Sequence, residues 1–182
     1  MRQSDGDMRL PEESIIIERP VDEVFAFVAD TTNDPRWHTT VVEGQRTSAG
    51  PVGLDTIFEG IYDSKKRTLD APSHAANFQH VRAVITEYAE NQSLRIRVEF
   101  TDPPRGIGAR VLGRSFDLTF RFERVPEGTR VYRGGEFHPV PLIWPLVPFF
   151  IRFNRGRNRY LLANLKRAIE SPTRRPGPEV DR

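Results

Sequence analysis

Two stretches of the chain alternate between apolar and polar residues, as a β-strand does when only one of its faces is covered. The first stretch is 93–101 and the second is 115–124. Their apolar residues occupy every second position: Leu94, Ile96, Val98 and Phe100 in the first stretch, and Phe116, Leu118, Phe120 and Phe122 in the second. This pattern predicts strands of an antiparallel sheet with an apolar element packed against one side.

Further segments predict the rest of the sheet. A β-branched run at 14–18 reads as the first strand and ends before Pro20, since proline cannot donate to a strand ladder. The remaining candidate strands are 41–47, 55–62, 78–88 and 129–138. Several of the segments between them contain Gly, Pro or Asn, which is typical of short antiparallel connections. The sequence therefore predicts a sheet of seven strands.

Helical spacing replaces strand spacing at two places. After the first strand, four apolar residues share one face of a predicted short helix: Val21, Val24, Phe25 and Val28. Turn formers and a proline within 31–38 leave room for at most one further helical turn. A long helix is predicted at 149–170, and its apolar face is the expected cover of the sheet.

Length and composition favour one globular domain. The 182 residues are enough for a single core, and we expect the domain at 13–170. Residues 1–12 and 171–182 are polar and are expected to be flexible termini. The chain has no cysteine, which excludes disulfide frameworks and cysteine nucleophiles. Because the polar N-terminus carries no apolar leader, we expect a cytoplasmic protein.

Three short sequences carry a resemblance to a known family: IIERPVDEVFAFVAD at 16–30, PRW at 35–37 and PVG at 51–53. With the predicted order of elements, they resemble the polyketide cyclase/dehydrase branch of the START-like (SRPBCC) superfamily. The resemblance implies an α+β helix-grip fold of the START/Bet v 1 type. In that fold a curved seven-stranded antiparallel sheet wraps around a long C-terminal helix, with two short helices after strand 1.

The resemblance also implies an internal cavity for a hydrophobic ligand. Aromatic residues of the sheet and residues of the last helix are the candidates to line it: Phe58, Tyr62, Phe100, Phe116, Phe120, Phe137, Phe150, Phe153, Arg157, Tyr160 and Asn164. Arg157 and Asn164 interrupt the apolar face of the helix, and polar groups in an apolar pocket fix the orientation of a ligand. The alternatives are a solid core, with both residues at the edge of the helix face, or pairing of Arg157 with a buried carboxylate.

The residues that could carry out chemistry are few. The histidines are too far apart in sequence for a metal-ligand motif, so we predict no metal site and no other cofactor. His38, His74 and His80 are expected on the surface or in hairpins. No strained serine motif of a hydrolase is present. If the protein is a cyclase or aromatase, Arg157, His138 and Glu136 are the candidate groups for proton transfer.

Basic residues are concentrated near the C-terminus. No acidic residue lies between Glu136 and Glu170, while six lysines and arginines do. Segment 140–159 combines apolar residues with arginines and could contact an anionic membrane surface transiently. The alternative is a cavity lid followed by a solvated basic helix face. Because the basic residues share a segment with core aromatics, nucleic-acid binding is not expected.

Three functions are consistent with these patterns. The first is binding or carriage of a hydrophobic or amphipathic small molecule, of lipid, polyketide or isoprenoid type. The second is a cyclase or aromatase that works without a metal or nucleotide cofactor. The third is a peripheral membrane-surface or interaction protein.

Overall fold

Seven antiparallel strands form one curved sheet. A computed structural model describes residues 8–63, 65–102, 114–137 and 147–171, and for residues 147–151, 153 and 154 it describes only the helical backbone. Within these ranges the strands are β1 Met8–Ile17, β2 Val41–Arg46, β3 Ile57–Asp63, β4 Phe78–Ala89, β5 Ser93–Phe100, β6 Ser115–Val125 and β7 Gly128–Phe137. They lie in the order β1-β7-β6-β5-β4-β3-β2, so each neighbour except the β1–β7 pair is also consecutive in sequence.

Helices cover one face of this sheet. Helix α1 (Val21–Ala29) is followed by a six-residue 3-10 helix (Thr31–Arg36), and the long helix α2 (Val147–Glu170) ends the domain. A further 3-10 turn, Ala75–Asn77, precedes β4. The predicted α+β class, the seven strands, the two short helices after β1 and the long last helix are all confirmed. The chain has the helix-grip fold.

The first strand is longer than the sequence analysis indicates. Strand β1 begins at Met8, and residues 8–10 pair with β7, so residues 8–12 belong to the strand instead of a flexible terminus. The proline and acidic residues of this segment obscure its strand character. They are tolerated because β1 is an edge strand, where a missing backbone donor is not costly. The register shifts between Leu10 and Glu13, around Pro11, as at a β-bulge.

The core lies between the sheet and the helices. Phe25 of α1 is 2% exposed and meets two aromatic rings of the sheet edge to face. Its ring centroid is 5.2 Å from that of Tyr88 and 5.1 Å from that of Phe122. Trp37, which follows the 3-10 helix, is equally buried. The two short helices therefore fix one end of the inner face.

The outer face of the sheet carries a network of charged side chains. Arg95 donates to Glu136 at 2.9 Å, and Arg97 donates to Asp117 at 2.9 Å. These residues occupy the polar positions of the alternating strands. Glu136, a candidate for proton transfer, therefore lies outside the inner face: it faces away from α2, because its β7 neighbours in the alternation, Gly135 and Phe137, face inward.

Three basic residues of α2 pair with acidic residues in β1 and directly after it. Arg155 and Arg159 contact Glu13 at 3.1 Å and 2.9 Å, and Lys166 contacts Glu18 at 3.2 Å. Lys166 also donates to the Ile16 carbonyl at 2.9 Å. The charge asymmetry along the sequence thus serves, at least in part, to attach α2 to the edge of the sheet. Transient membrane contact through 140–159 stays a prediction.

Among the described residues, no helix is both long enough and apolar enough to span a membrane.

Replacement of Gly156 by alanine is expected to stabilise the protein. Gly156 lies in the interior of α2, it is exposed, and no atom lies within 4 Å of the position that a Cβ would take. Glycine in a helix interior is about 0.5–1 kcal/mol less favourable than alanine, because it loses more backbone entropy on folding. Urea unfolding monitored by circular dichroism should show a gain of that size. A loss of stability would contradict the helical, open environment of this position.

Candidate ligand site

A group of polar residues lies on the inner face of the sheet, where an apolar core would be expected. We call it the interior polar cluster, and it consists of Asp34, His38, Thr40, Tyr62, Arg133, Arg157, Asn158 and Asn164. The first three come from the 3-10 helix and the loop after it, Tyr62 comes from β3, Arg133 comes from β7, and the last three come from α2. Four separate parts of the chain therefore contribute to one place.

The 3-10 helix has a local sequence cause. The Asp30 carboxylate accepts hydrogen bonds from the backbone N–H of Thr32 at 3.1 Å and from its hydroxyl at 2.7 Å. At the other end, the Asp34 carbonyl accepts from the N–H groups of Trp37 and His38, at 3.0 Å and 2.7 Å. These bonds turn the chain inward, so that His38 is buried. The prediction of a surface position for His38 is wrong for this reason.

Thr40 connects His38 to α2. The Arg157 guanidinium donates to the Thr40 hydroxyl at 3.3 Å, and this hydroxyl lies 3.1 Å from His38 Nδ1. Because the hydroxyl accepts from Arg157, its own hydrogen is free to point to Nδ1, which is then the acceptor. Burial lowers the pKa of His38 well below its usual value, and the charges of Arg133 and Arg157 add to this effect. His38 is therefore neutral at neutral pH, and its ring stacks on Tyr62.

Arg133 is the most deeply buried cation of the cluster, at 4% exposure. It donates to the side-chain oxygen of Asn158, and its guanidinium lies 5.8 Å from the centre of the Phe120 ring. Burial lowers the pKa of Arg133 to about 10, and the charge of Arg157 acts in the same direction. Burial also lowers the pKa of Arg157. Both side chains remain cationic at neutral pH.

Asp34 is the acidic member of the cluster. Burial raises the pKa of its carboxyl to about 7, against the opposing attraction of Arg133. The indole N–H of Trp37 also favours the charged form. As a whole residue Asp34 is half-buried, and it lines a pocket of the inner face. Its charge therefore changes in the physiological pH range.

Several polar atoms at and beside the cluster have no hydrogen-bond partner in the described structure. Three are donors, namely Trp37 Nε1, Arg133 Nε and Asn158 Nδ2, and one is an acceptor, Asn164 Oδ1. The Asn164 amide nitrogen, by contrast, donates to the Trp37 carbonyl at 3.3 Å. Buried polar atoms are normally satisfied, so a group of unsatisfied ones indicates a place where water or a ligand binds.

Beside the cluster lies a pocket of about 30 Å³. Asp34 and Tyr62 line its polar side, and Phe58, Ala83 and Leu118 line its apolar side. This space accommodates about two water molecules. A larger groove of about 360 Å³ opens on the opposite face of the sheet, around Glu43, Glu59 and His80. We do not assign the ligand to that groove, since it lies on the outer face and is lined in large part by exposed side chains.

The predicted cavity residues fall into three groups. Phe58, Phe120, Phe137 and Asn164 are buried on the inner side, and Tyr62, Phe100, Phe116 and Arg157 are half-buried there. The prediction for Tyr160 is wrong, because its side chain is 40% exposed. The third group, the side chains of Phe150 and Phe153, lies outside the described residues, and so does His138, the histidine candidate for proton transfer.

Asp34, Arg133 and Asn158 are members that the sequence analysis misses. Arg133 could have been found, because it occupies an inward position of β7, in phase with Val131 and Phe137. A charged residue at an inward position of a strand is a signal of a buried polar site. Asp34 and Asn158 give no comparable signal. Among the described residues, no three His, Asp or Glu side chains lie close enough together to hold a metal ion.

Arg157 does not pair with a buried carboxylate in the part of the chain that the structure describes. Its guanidinium donates instead to the Thr40 hydroxyl. Of the alternatives left open by the sequence, the edge position is also wrong, since its guanidinium reaches inward to the cluster. Arg157 is therefore a cation held inside the domain by neutral groups.

Comparison with known proteins adds a family and a fold. The family model "Polyketide cyclase / dehydrase and lipid transport" matches residues 8–170. No curated protein sequence matches the chain. Among solved structures, Ara h 8.0201 is similar with a TM-score of 0.61 and 13% identity, over 92% of this chain and 100% of that chain.

Two further structures show the same fold. The di-domain ARO/CYC protein StfQ of the steffimycin biosynthetic pathway has a TM-score of 0.61 and 14% identity, over 91% of this chain and 51% of that chain. A protein of unknown function, SA2116 from Staphylococcus aureus, has a TM-score of 0.63 and 7% identity, over 93% and 97%. At these identities the likeness extends to the fold alone.

Proposed function

The chain belongs to the polyketide cyclase/dehydrase and lipid transport family, and on this premise we propose that it binds an amphipathic small molecule between the sheet and α2. The family and the fold are those of hydrophobic ligand binding. The finer proposal is carriage of a lipid, polyketide or isoprenoid whose polar end meets the interior polar cluster. Its apolar part would lie against the aromatic residues of the inner face.

One observation carries this proposal: unsatisfied polar atoms lie beside an apolar wall. A domain built only for stability would fill this position with apolar side chains, because buried unpaired donors and cations are destabilising. Here two arginines, two asparagines and an indole N–H surround one region of the inner face. Ligand pockets have this composition, with mostly apolar walls and a few polar groups that orient the bound molecule.

A cyclase or aromatase is the second candidate, and Asp34 is the observation that favours it. Its carboxyl lies at the pocket beside Tyr62, and its pKa of about 7 suits a group that both accepts and donates protons at neutral pH. Asp34 replaces Glu136 as the carboxyl candidate, because Glu136 lies on the outer face. Arg157 would then hold a carbonyl or enolate oxygen of the substrate.

Filling the pocket tests the proposal. Ala83 lines the pocket, and Ala83→Ile adds three carbons to its apolar side. We expect the affinity for the neutral fluorescent probe Nile red to fall by about tenfold or more, because the probe enters only if this small pocket widens, and the added carbons oppose that widening. Fluorescence titration measures this directly.

Ala26→Ile is the matched control. Ala26 is exposed on α1, away from the pocket, and the same three carbons there should leave Nile red affinity unchanged. Circular dichroism confirms that both variants fold. Equal Nile red binding by the wild type and a folded Ala83→Ile variant would show that the probe does not enter the pocket, and the proposed ligand site would be wrong.

A further inference from the structure

We infer that the ligand of the interior polar cluster carries one carboxylate, which binds between Arg133 and Arg157 with an apolar chain attached. This inference rests on the proposed function and names the class of molecule that the site accepts. It follows from three observations: the net positive charge of the cluster, the excess of unpaired hydrogen-bond donors over unpaired acceptors, and the row of aromatic residues that extends from Arg133 along β6.

The charge balance of the cluster is positive. The cluster holds two guanidinium groups, Arg133 and Arg157, and one carboxyl, Asp34, and in the described structure the side-chain partners of the two guanidinium groups are the neutral Asn158 and Thr40. The other titratable groups nearby do not compensate. His38 is neutral, burial raises the pKa of Tyr62 so that it stays a phenol, and the charge of Arg67 also acts on Arg157. One additional negative charge would balance the site.

The unsatisfied atoms are mainly donors. Trp37 Nε1, Arg133 Nε and Asn158 Nδ2 need acceptors, while Asn164 Oδ1 alone needs a donor. A carboxylate offers two oxygens with about four acceptor positions and no donor. A guanidinium binds such a group through two parallel N–H···O bonds, which fixes both position and orientation. An alcohol or amine head group would satisfy fewer of these atoms.

The aromatic residues indicate where the apolar chain lies. Arg133 of β7 and Phe120 of β6 lie opposite each other in the sheet. Further along the same two strands, the last pair that faces inward is Phe137 and Phe116. Phe116 contacts Phe100 of β5, with ring centroids 6.1 Å apart, and both rings are only half-buried. An apolar chain that starts at Arg133 would therefore run along β6 towards this half-exposed pair.

The test compares two probes that differ in their head group. Isothermal titration calorimetry at pH 8 measures the binding of decanoate and of decan-1-ol to the full chain. We expect the wild type to bind decanoate about 10- to 100-fold more tightly, which is the range of charge-assisted hydrogen bonds. In Arg157→Met and in Arg133→Met this preference should fall to about twofold, while affinity for the alcohol is retained.

Arg167→Met is the matched control, because Arg167 is an exposed cation on the same helix. It should keep the preference for decanoate. If Arg133→Met does not fold, Arg157→Met alone decides. Equal affinity of the wild type for both probes, or an unchanged preference in Arg157→Met, would overturn the carboxylate inference and leave ligand binding intact. Absence of binding for both probes would overturn the proposed function as well.

Discussion

Truncation of Phe25 to alanine should lower the free energy of unfolding by about 3–5 kcal/mol, the range for a buried phenylalanine. The ring is 2% exposed and meets Tyr88 and Phe122 edge to face. It joins α1 to the sheet, and α1 in turn leads into the 3-10 helix that carries Asp34. Urea unfolding monitored by tryptophan fluorescence gives the free energy.

Phe27→Ala is the control for this prediction. Phe27 lies on the same helix but is half-buried, with Arg36 stacked over its ring at 4.8 Å. Its truncation removes less buried surface, and we expect a loss of about 1 kcal/mol. If Phe25→Ala cost no more than Phe27→Ala, the position of α1 against the sheet would be wrong.

Replacement of Asp34 by asparagine should make the protein more stable at pH 8 and should have little effect near pH 4. Burial raises the pKa of Asp34 from 3.8 to about 7, so the folded state binds its proton more tightly than the unfolded state does. Between these two values stability falls as pH rises, because the buried carboxyl is forced to ionise. Asparagine has a similar shape and never ionises.

The expected gain at pH 8 is about 2 kcal/mol. The full pKa difference corresponds to about 4 kcal/mol, and the partial solvent exposure of Asp34 reduces this. His38 acts in the opposite direction, since its lowered pKa makes stability fall as pH drops below 6.5. The difference between the wild type and Asp34→Asn removes the His38 contribution, which both proteins share.

Unfolding free energies at pH 4.5, 6 and 8 measure this prediction. The advantage of Asp34→Asn should grow steadily over that series. Asp70→Asn, at an exposed loop position, controls for the loss of one surface carboxylate. A constant difference between Asp34→Asn and the wild type at all three values would show that the Asp34 carboxyl is solvated and not part of the interior polar cluster.

The fold could be predicted from the sequence because the spacing of apolar residues shows which face of each strand or helix is covered. Strands β5 and β6 and helix α1 were predicted within about two residues, since each has one apolar and one polar face. Strand β1 was predicted too short because its first half contains Pro11 and acidic residues. Pairing with β7 at a sheet edge overrides these local signals.

The candidate site was predictable only in part. Arg157 and Asn164 interrupt an apolar helix face, and the structure brings both to the interior polar cluster. Tyr160 follows the same helical spacing but is exposed, because the helix rests against β1 and presents that side to solvent. The outward position of Glu136 could have been predicted only from the alternation along β7, by recognising that Arg133 faces inward. Asp34 required tertiary contacts that no local pattern encodes.

Native mass spectrometry tests the central claim, that a small molecule occupies the space between the sheet and α2, most directly. The full chain is purified from cells without denaturant, and its mass is compared before and after unfolding. We expect the folded wild type to carry one additional small molecule, released on unfolding, and the Ala83→Ile variant to carry none. Two results would contradict a ligand bound at the interior polar cluster. The wild type could show only the mass of the bare chain, or the wild type and Ala83→Ile could both carry the same additional mass.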